Sequence, residues 1–125
     1  MIHHVSLGTN DVGRSRVFYD PVLAVLGLRL LKASDESADY GVSTVLFSIE
    51  TPVNGRPASA GNGTHIAFDA GGRAAVDEFY ATALRSGGTD GGAPGLRPEY
   101  DPNYYGAFVF DPDGNKVEAV THHGK

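Results

Sequence analysis

The chain has 125 residues, with ten basic and fifteen acidic side chains for a net charge of −5, and it is 41% hydrophobic and 20% charged. That length suits one domain with one hydrophobic core, and no basic run favours a phosphate backbone or an anionic bilayer, so neither nucleic acid nor membrane is expected as a partner. The absence of cysteine excludes disulfides, thiolate metal sites and Cys nucleophiles, while the lack of a long apolar run or a signal-like N-terminus leads us to expect a cytoplasmic protein.

Taken in order, Ile2–Gly8 alternates as a strand, with Val5 and Leu7 on one face and His4 and Ser6 on the other. Thr9-Asn10-Asp11 supplies caps for a helix from about Val12, in which Val17, Phe18, Leu23 and Leu26 recur at helical spacing. Pro21 predicts a kink or a break there, and Gly27 the end. Leu28–Lys32 and Tyr40–Glu50, separated by a polar turn around Asp35–Asp39, predict two or three antiparallel strands. In the last of these Val45, Phe47 and Ile49 share one face, and Leu46, Ser48 and Glu50 the other. Eight of the seventeen glycines cluster at Asn54–Gly63 and Ser86–Gly95, which predicts loops in both places.

Thr64–Asp69 reads as a strand with Ile66 and Phe68 opposite His65, Ala67 and Asp69, followed by a helix from Ala74 to about Arg85 that Gly87-Gly88 closes. A segment near Leu96–Tyr100 and a strand at Tyr105–Asp111 lead to the turn Asp111-Pro112-Asp113-Gly114. The turn opens a hairpin whose return strand puts Val117 and Ala119 on one face and Lys116, Glu118 and Val120 on the other.

A shift of 61 positions lays the first half on the second without a gap: His4 falls on His65, Phe18 on Phe79, Tyr19 on Tyr80, Leu23 on Leu84 and Gly27 on Gly88. The chain therefore reads as α+β, one domain over 1–125 built from two βαβββ modules, about 1–53 and about 63–123, that form a curved mixed sheet with helices on its outer face. In this register Glu118 is the counterpart of about Ser48. If the helices cover the apolar faces, then His4, His65 and Glu118 converge on the opposite, concave one. Two imidazoles and a carboxylate suit a divalent metal with open positions, such as non-haem iron, manganese or zinc.

The motifs His4-Val5-Ser6-Leu7, Thr64-His65-Ile66-Ala67-Phe68 and Asp111-Pro112-Asp113-Gly114-Asn115-Lys116-Val117-Glu118-Ala119, in that order over Ile2 to Val120, resemble the vicinal oxygen chelate superfamily of glyoxalases, extradiol dioxygenases and bleomycin-binding proteins. The resemblance implies paired modules around a divalent ion (Zn, Fe, Mn or Ni) at His4, His65 and Glu118, with Glu118 as the catalytic base. It implies lyase or dioxygenase chemistry on vicinal oxygens of a small molecule, and a homodimer. Ser48 stands where glyoxalase I has a fourth, carboxylate ligand, with Glu50 two residues along. The Arg97–Tyr105 stretch replaces the Ser-rich loop of fosfomycin enzymes. Ser6, Ser48, Arg97, Tyr105 and Phe108 are the expected substrate contacts, Arg97 by a bidentate bond to a carboxylate or phosphate. The alternative is a metal-free, bleomycin-resistance-like protein that sequesters a small compound, for which the net charge favours a cation.

Overall fold

The computed structural model describes residues 1–124. The first module runs β1 (Val5–Gly8), α1 (Val12–Val25), β2 (Arg29–Ala33), β3 (Ser37–Gly41) and β4 (Val45–Glu50); the second runs β5 (His65–Asp69), α2 (Arg73–Arg85), β6 (Thr89–Leu96), β7 (Tyr105–Phe110) and β8 (Lys116–Thr121). Each module forms its own four-stranded mixed sheet, ordered β1-β4-β3-β2 and β5-β8-β7-β6. The first and last strands of each module pair in parallel and the rest are antiparallel. The expected βαβββ repeat is thus present, as two sheets rather than one continuous sheet. Helix α2 begins 61 residues after α1, as the repeat requires.

Period-2 alternation fixes the helix side of each sheet. Tyr40, Phe47 and Ile49 pack beneath α1, and Val109, Val117 and Ala119 beneath α2, all fully or almost fully buried. The helices answer with Phe18, Tyr19, Val22 and Leu23 from α1 and Val76, Phe79 and Ala83 from α2, and the two helices also pack on each other. Asp11 caps α1 by accepting the Arg14 amide at 2.9 Å. The helix continues through Pro21. One missing backbone donor is tolerated because the flanking turn is held by four buried side chains.

Two loop expectations fail in instructive ways. The glycine-rich stretch ending at Gly95 is largely strand: Thr89–Leu96 is an edge strand, β6, whose register against β7 shifts twice. Glycine and proline are tolerated at an edge, where one row of backbone groups needs no partner. The polar turn after β2 is shorter than the sequence suggests, because Ser37–Gly41 pairs with both neighbours.

The Asp111–Asn115 turn does more than reverse the chain. Asp113, its side chain 2% exposed, accepts the Thr9 hydroxyl at 2.6 Å, the Ser15 hydroxyl at 3.1 Å, the Asn10 amide at 3.0 Å and an Arg14 guanidinium N–H at 2.6 Å. Asp111 accepts the buried Tyr19 hydroxyl at 2.6 Å, and the Asn115 side chain donates to the Gly8 carbonyl at 3.0 Å. The second module's turn is therefore bolted to the start of the first module's helix. No helix among the described residues is long and apolar enough to cross a membrane.

Candidate functional site

Register places one row of residues across each sheet on the face away from the helices. In the second module Ala67, Glu118, Phe108 and Gly92 stand side by side on four adjacent strands. In the first module the matching row is Ser6, Ser48, Asp39 and Lys32. Ser48 is thus the structural counterpart of Glu118, as the repeat predicts. Its hydroxyl donates to Asp39 at 2.7 Å, so a carboxylate does stand in this row, one strand further on. Ser6 donates to Glu50 at 3.4 Å at the exposed end of β4.

Glu118 is 1% exposed, and both of its oxygens are engaged. His65 Nε2 lies 3.2 Å from Oε1, and the Tyr104 hydroxyl donates to Oε2. A Cβ at position 106 would stand 3.0 Å from Glu118 Oε2 and 3.2 Å from the Tyr104 ring, so Gly106 leaves the space that the pair occupies. Burial and the adjacent Glu118 carboxylate raise the Tyr104 pKa well above that of an ordinary phenol, so the hydroxyl keeps its proton and donates. The Tyr104 ring packs against Tyr100 and His122, with centroids 5.0 and 5.3 Å away. Phe108 forms the floor beside Glu118. Its ring lies 6.2 Å from the His65 ring and is flanked by Arg97 and Lys116. Next to it, Thr64, His65, Phe110, Lys116 and the Ala60–Gly63 loop line an open hollow of about 480 Å³.

The structure brings His65, Glu118, Arg97 and Phe108 to one face. It does not bring His4 to them. His4 precedes β1 in the other sheet, exposed, with its Nδ1 2.8 Å from that of His3. His3, which alternation assigns to the helix side, is exposed as well. Among the described residues no group of three or more His, Asp or Glu side chains could hold a metal ion within one chain. Tyr105 also lies elsewhere: it points to the helix side, where its hydroxyl donates to Asp77 of α2 at 2.7 Å and Arg73 covers its ring. Tyr104 takes the place expected of it. The signal was in the alternation, since Tyr104, Gly106 and Phe108 share a face while Tyr105, Ala107 and Val109 share the other. Lys116, on the Glu118 face by the same rule, lies over the Phe108 ring, 4.9 Å from its centroid.

Metal–ligand bonds near 2.1 Å, meeting at angles between 90° and tetrahedral, set their donor atoms about 3.0–3.4 Å apart. The 3.2 Å between His65 Nε2 and Glu118 Oε1 lies within that range. These two residues are spaced as a pair of ligands would be, and among the described residues no third His, Asp or Glu joins them.

A family model described as the Glyoxalase/Bleomycin resistance protein/Dioxygenase superfamily matches residues 1–119. No curated protein matches. Among solved structures, a glyoxalase/bleomycin resistance protein from Albidiferax ferrireducens T118 is 38% identical, with a TM-score of 0.86 over 96% of this chain and 97% of that one. A glyoxalase-related enzyme from Fulvimarina pelagi (18% identity, TM-score 0.76, 96% of this chain and 86% of that one) and a lactoylglutathione lyase from Agrobacterium tumefaciens (22%, 0.67, 96% and 92%) share the fold. With the matching model spanning nearly the whole sequence and a close structural relative above a third identity, the chain belongs to the glyoxalase/bleomycin resistance protein/dioxygenase superfamily.

Proposed function

We propose that the protein is a metal-dependent enzyme of lyase or dioxygenase type that grips a small substrate by two adjacent oxygens. It works as a homodimer in which each site takes His65 and Glu118 from one subunit and the partner's His4 as the third ligand. The observation that carries this reading is the ligand-like spacing of a buried carboxylate and an imidazole from neighbouring strands. The repeat supplies the third donor, because His4 is the 61-residue counterpart of His65 and immediately precedes β1, an edge strand that pairs on one side only. Open edges and uncovered polar faces favour association with a second copy.

His65 and Glu118 would hold the divalent ion, which would supply Lewis-acid stabilisation of negative charge on the substrate oxygens. Glu118, 1% exposed beside Phe108, is the group that takes a proton. Tyr104 orients that carboxylate and does not compete as an acid, since its own proton is held more tightly than in a free phenol. Asp39 lies beside Ser48 in the first module's matching row.

A second reading rests on a different feature of the same residues. His65, Glu118 and Tyr104 satisfy one another, and Phe108 offers an aromatic floor, which would also serve a metal-free protein that sequesters a small compound. Metal analysis of untagged protein after dialysis against Mn, Fe, Zn and Ni separates the two. About one ion per chain, lost in His65→Ala and in Glu118→Gln, supports the enzyme. No bound ion from any of the four metals overturns it and leaves sequestration.

A further inference from the structure

Two cations from different elements meet on one aromatic ring at the edge of this site. Lys116 Nζ lies 4.9 Å, and Arg97 Cζ 5.5 Å, from the centroid of Phe108, which is itself the register partner of Glu118. Cation–π attraction is modest, and gathering two like charges opposes it. Among the described residues neither cation has a carboxylate within ion-pair distance, although the chain carries fifteen acidic residues. Arg97 is nevertheless fixed in place. It donates from NH2 to the Ala93 carbonyl at 2.8 Å and from NH1 to the Leu96 carbonyl at 3.4 Å, leaving its other N–H donors without a partner among the described residues. The glycines of β6 make this possible: a Cβ at Gly92 would stand 3.3 Å from the guanidinium and 3.1 Å from the Phe108 ring, and one at Gly95 3.1 Å from the guanidinium. A cation held in advance, beside a flat ring and a second cation, loses little further entropy when it meets an anion.

We infer that Arg97 and Lys116 form an anion subsite, and that the substrate is a small 2-oxo or 2-hydroxy carboxylate. Its carboxylate lies against the two cations on Phe108, and its neighbouring oxygen turns toward His65 and Glu118. A planar carboxylate matches the fork of a guanidinium and the flat face of the ring. The local field here is opposite in sign to the chain's net charge, so a cationic ligand is disfavoured at this face. The assignment rests on the proposed function in placing the substrate on this side of the sheet and in giving it a second oxygen beside the carboxylate.

The test follows amide chemical shifts of full-length protein stripped of metal with EDTA while lactate is added, with uncharged lactamide as the control. Saturable shifts are expected at Gly92, Arg97, Phe108 and Lys116. Arg97→Gln and Lys116→Gln should each weaken the apparent Kd about tenfold, and the double variant about a hundredfold, as loss of charge-assisted hydrogen bonds predicts. Lactamide should leave the spectrum unchanged. Equal shifts with lactamide, or shifts indifferent to both substitutions, overturn the subsite. So does a wild-type protein blind to lactate whose variants change subunit association, which would assign the cations to the dimer contact. Because metal is absent throughout, failure of a separate Mn titration would remove the metal reading without touching these shifts.

Discussion

Glu118 is costly to bury, and its neighbours say why it is tolerated. One oxygen meets His65, the other Tyr104, and Gly106 keeps the space open. Removing the hydroxyl in Tyr104→Phe leaves Oε2 of Glu118, a residue 1% exposed, without its donor, and should destabilise the protein by about 1–3 kcal/mol in urea unfolding. Tyr19 and Tyr40 are raised with Tyr104, in each case first by burial and then by an aspartate or glutamate partner. Their folded pKa values exceed the unfolded one, so their contribution is whole below about pH 10 and is lost as pH rises through the folded values. Unfolding free energy should therefore be insensitive to these groups up to that pH and fall beyond it. Phenolate absorbance from these three should appear only with unfolding; early, reversible ionisation of all six tyrosines would contradict their placement. The residue-level choices were only partly legible. Alternation assigned faces to Glu118, His65 and Phe108 correctly, and applied four residues back from Phe108 it would have picked Tyr104 over Tyr105.

Among the elements, β6 shows what composition hides. Glycines that look like loop in one dimension are an edge strand in three, because their missing side chains are what Arg97 and Phe108 rest against. Such a use is invisible before the neighbouring strand is known. The same applies to Gly106, the second residue of β7. Gly106→Ala should cost about 1–3 kcal/mol by crowding Glu118 and Tyr104, and should weaken metal binding more than it lowers the unfolding midpoint. Helix α1 gives the opposite case. Pro21 removes the bond that its amide would make to Val17, yet the helix is unbroken because Phe18, Tyr19, Val22 and Leu23 are fully buried around it. Pro21→Ala should therefore stabilise the protein by about 1–3 kcal/mol, read as a higher urea midpoint.

For the whole molecule, the 61-residue repeat was the most informative feature of the sequence. It set strand pairing, helix placement and the Ser48–Glu118 correspondence. It did not reveal that the two polar faces lie on separate sheets, since a period of two tells which way a side chain points and not which sheet it will meet. Nor did turn chemistry announce that Asp113 fastens the modules together. Asp113→Ala removes four hydrogen bonds between modules, and should lower the unfolding free energy by about 2–4 kcal/mol while leaving metal affinity of the folded dimer intact. The central claim is that each site is shared between two copies, and subunit mixing tests it most directly. His4→Ala and Glu118→Gln proteins, each unable to bind Mn alone, are unfolded together, refolded at equal ratio and assayed for bound ion. Random pairing makes half of the dimers mixed, each with one intact site of two, so roughly a quarter of the wild-type metal content should return. No recovery on mixing, or full binding by either variant alone, would contradict a site built from His4 of one subunit with His65 and Glu118 of the other.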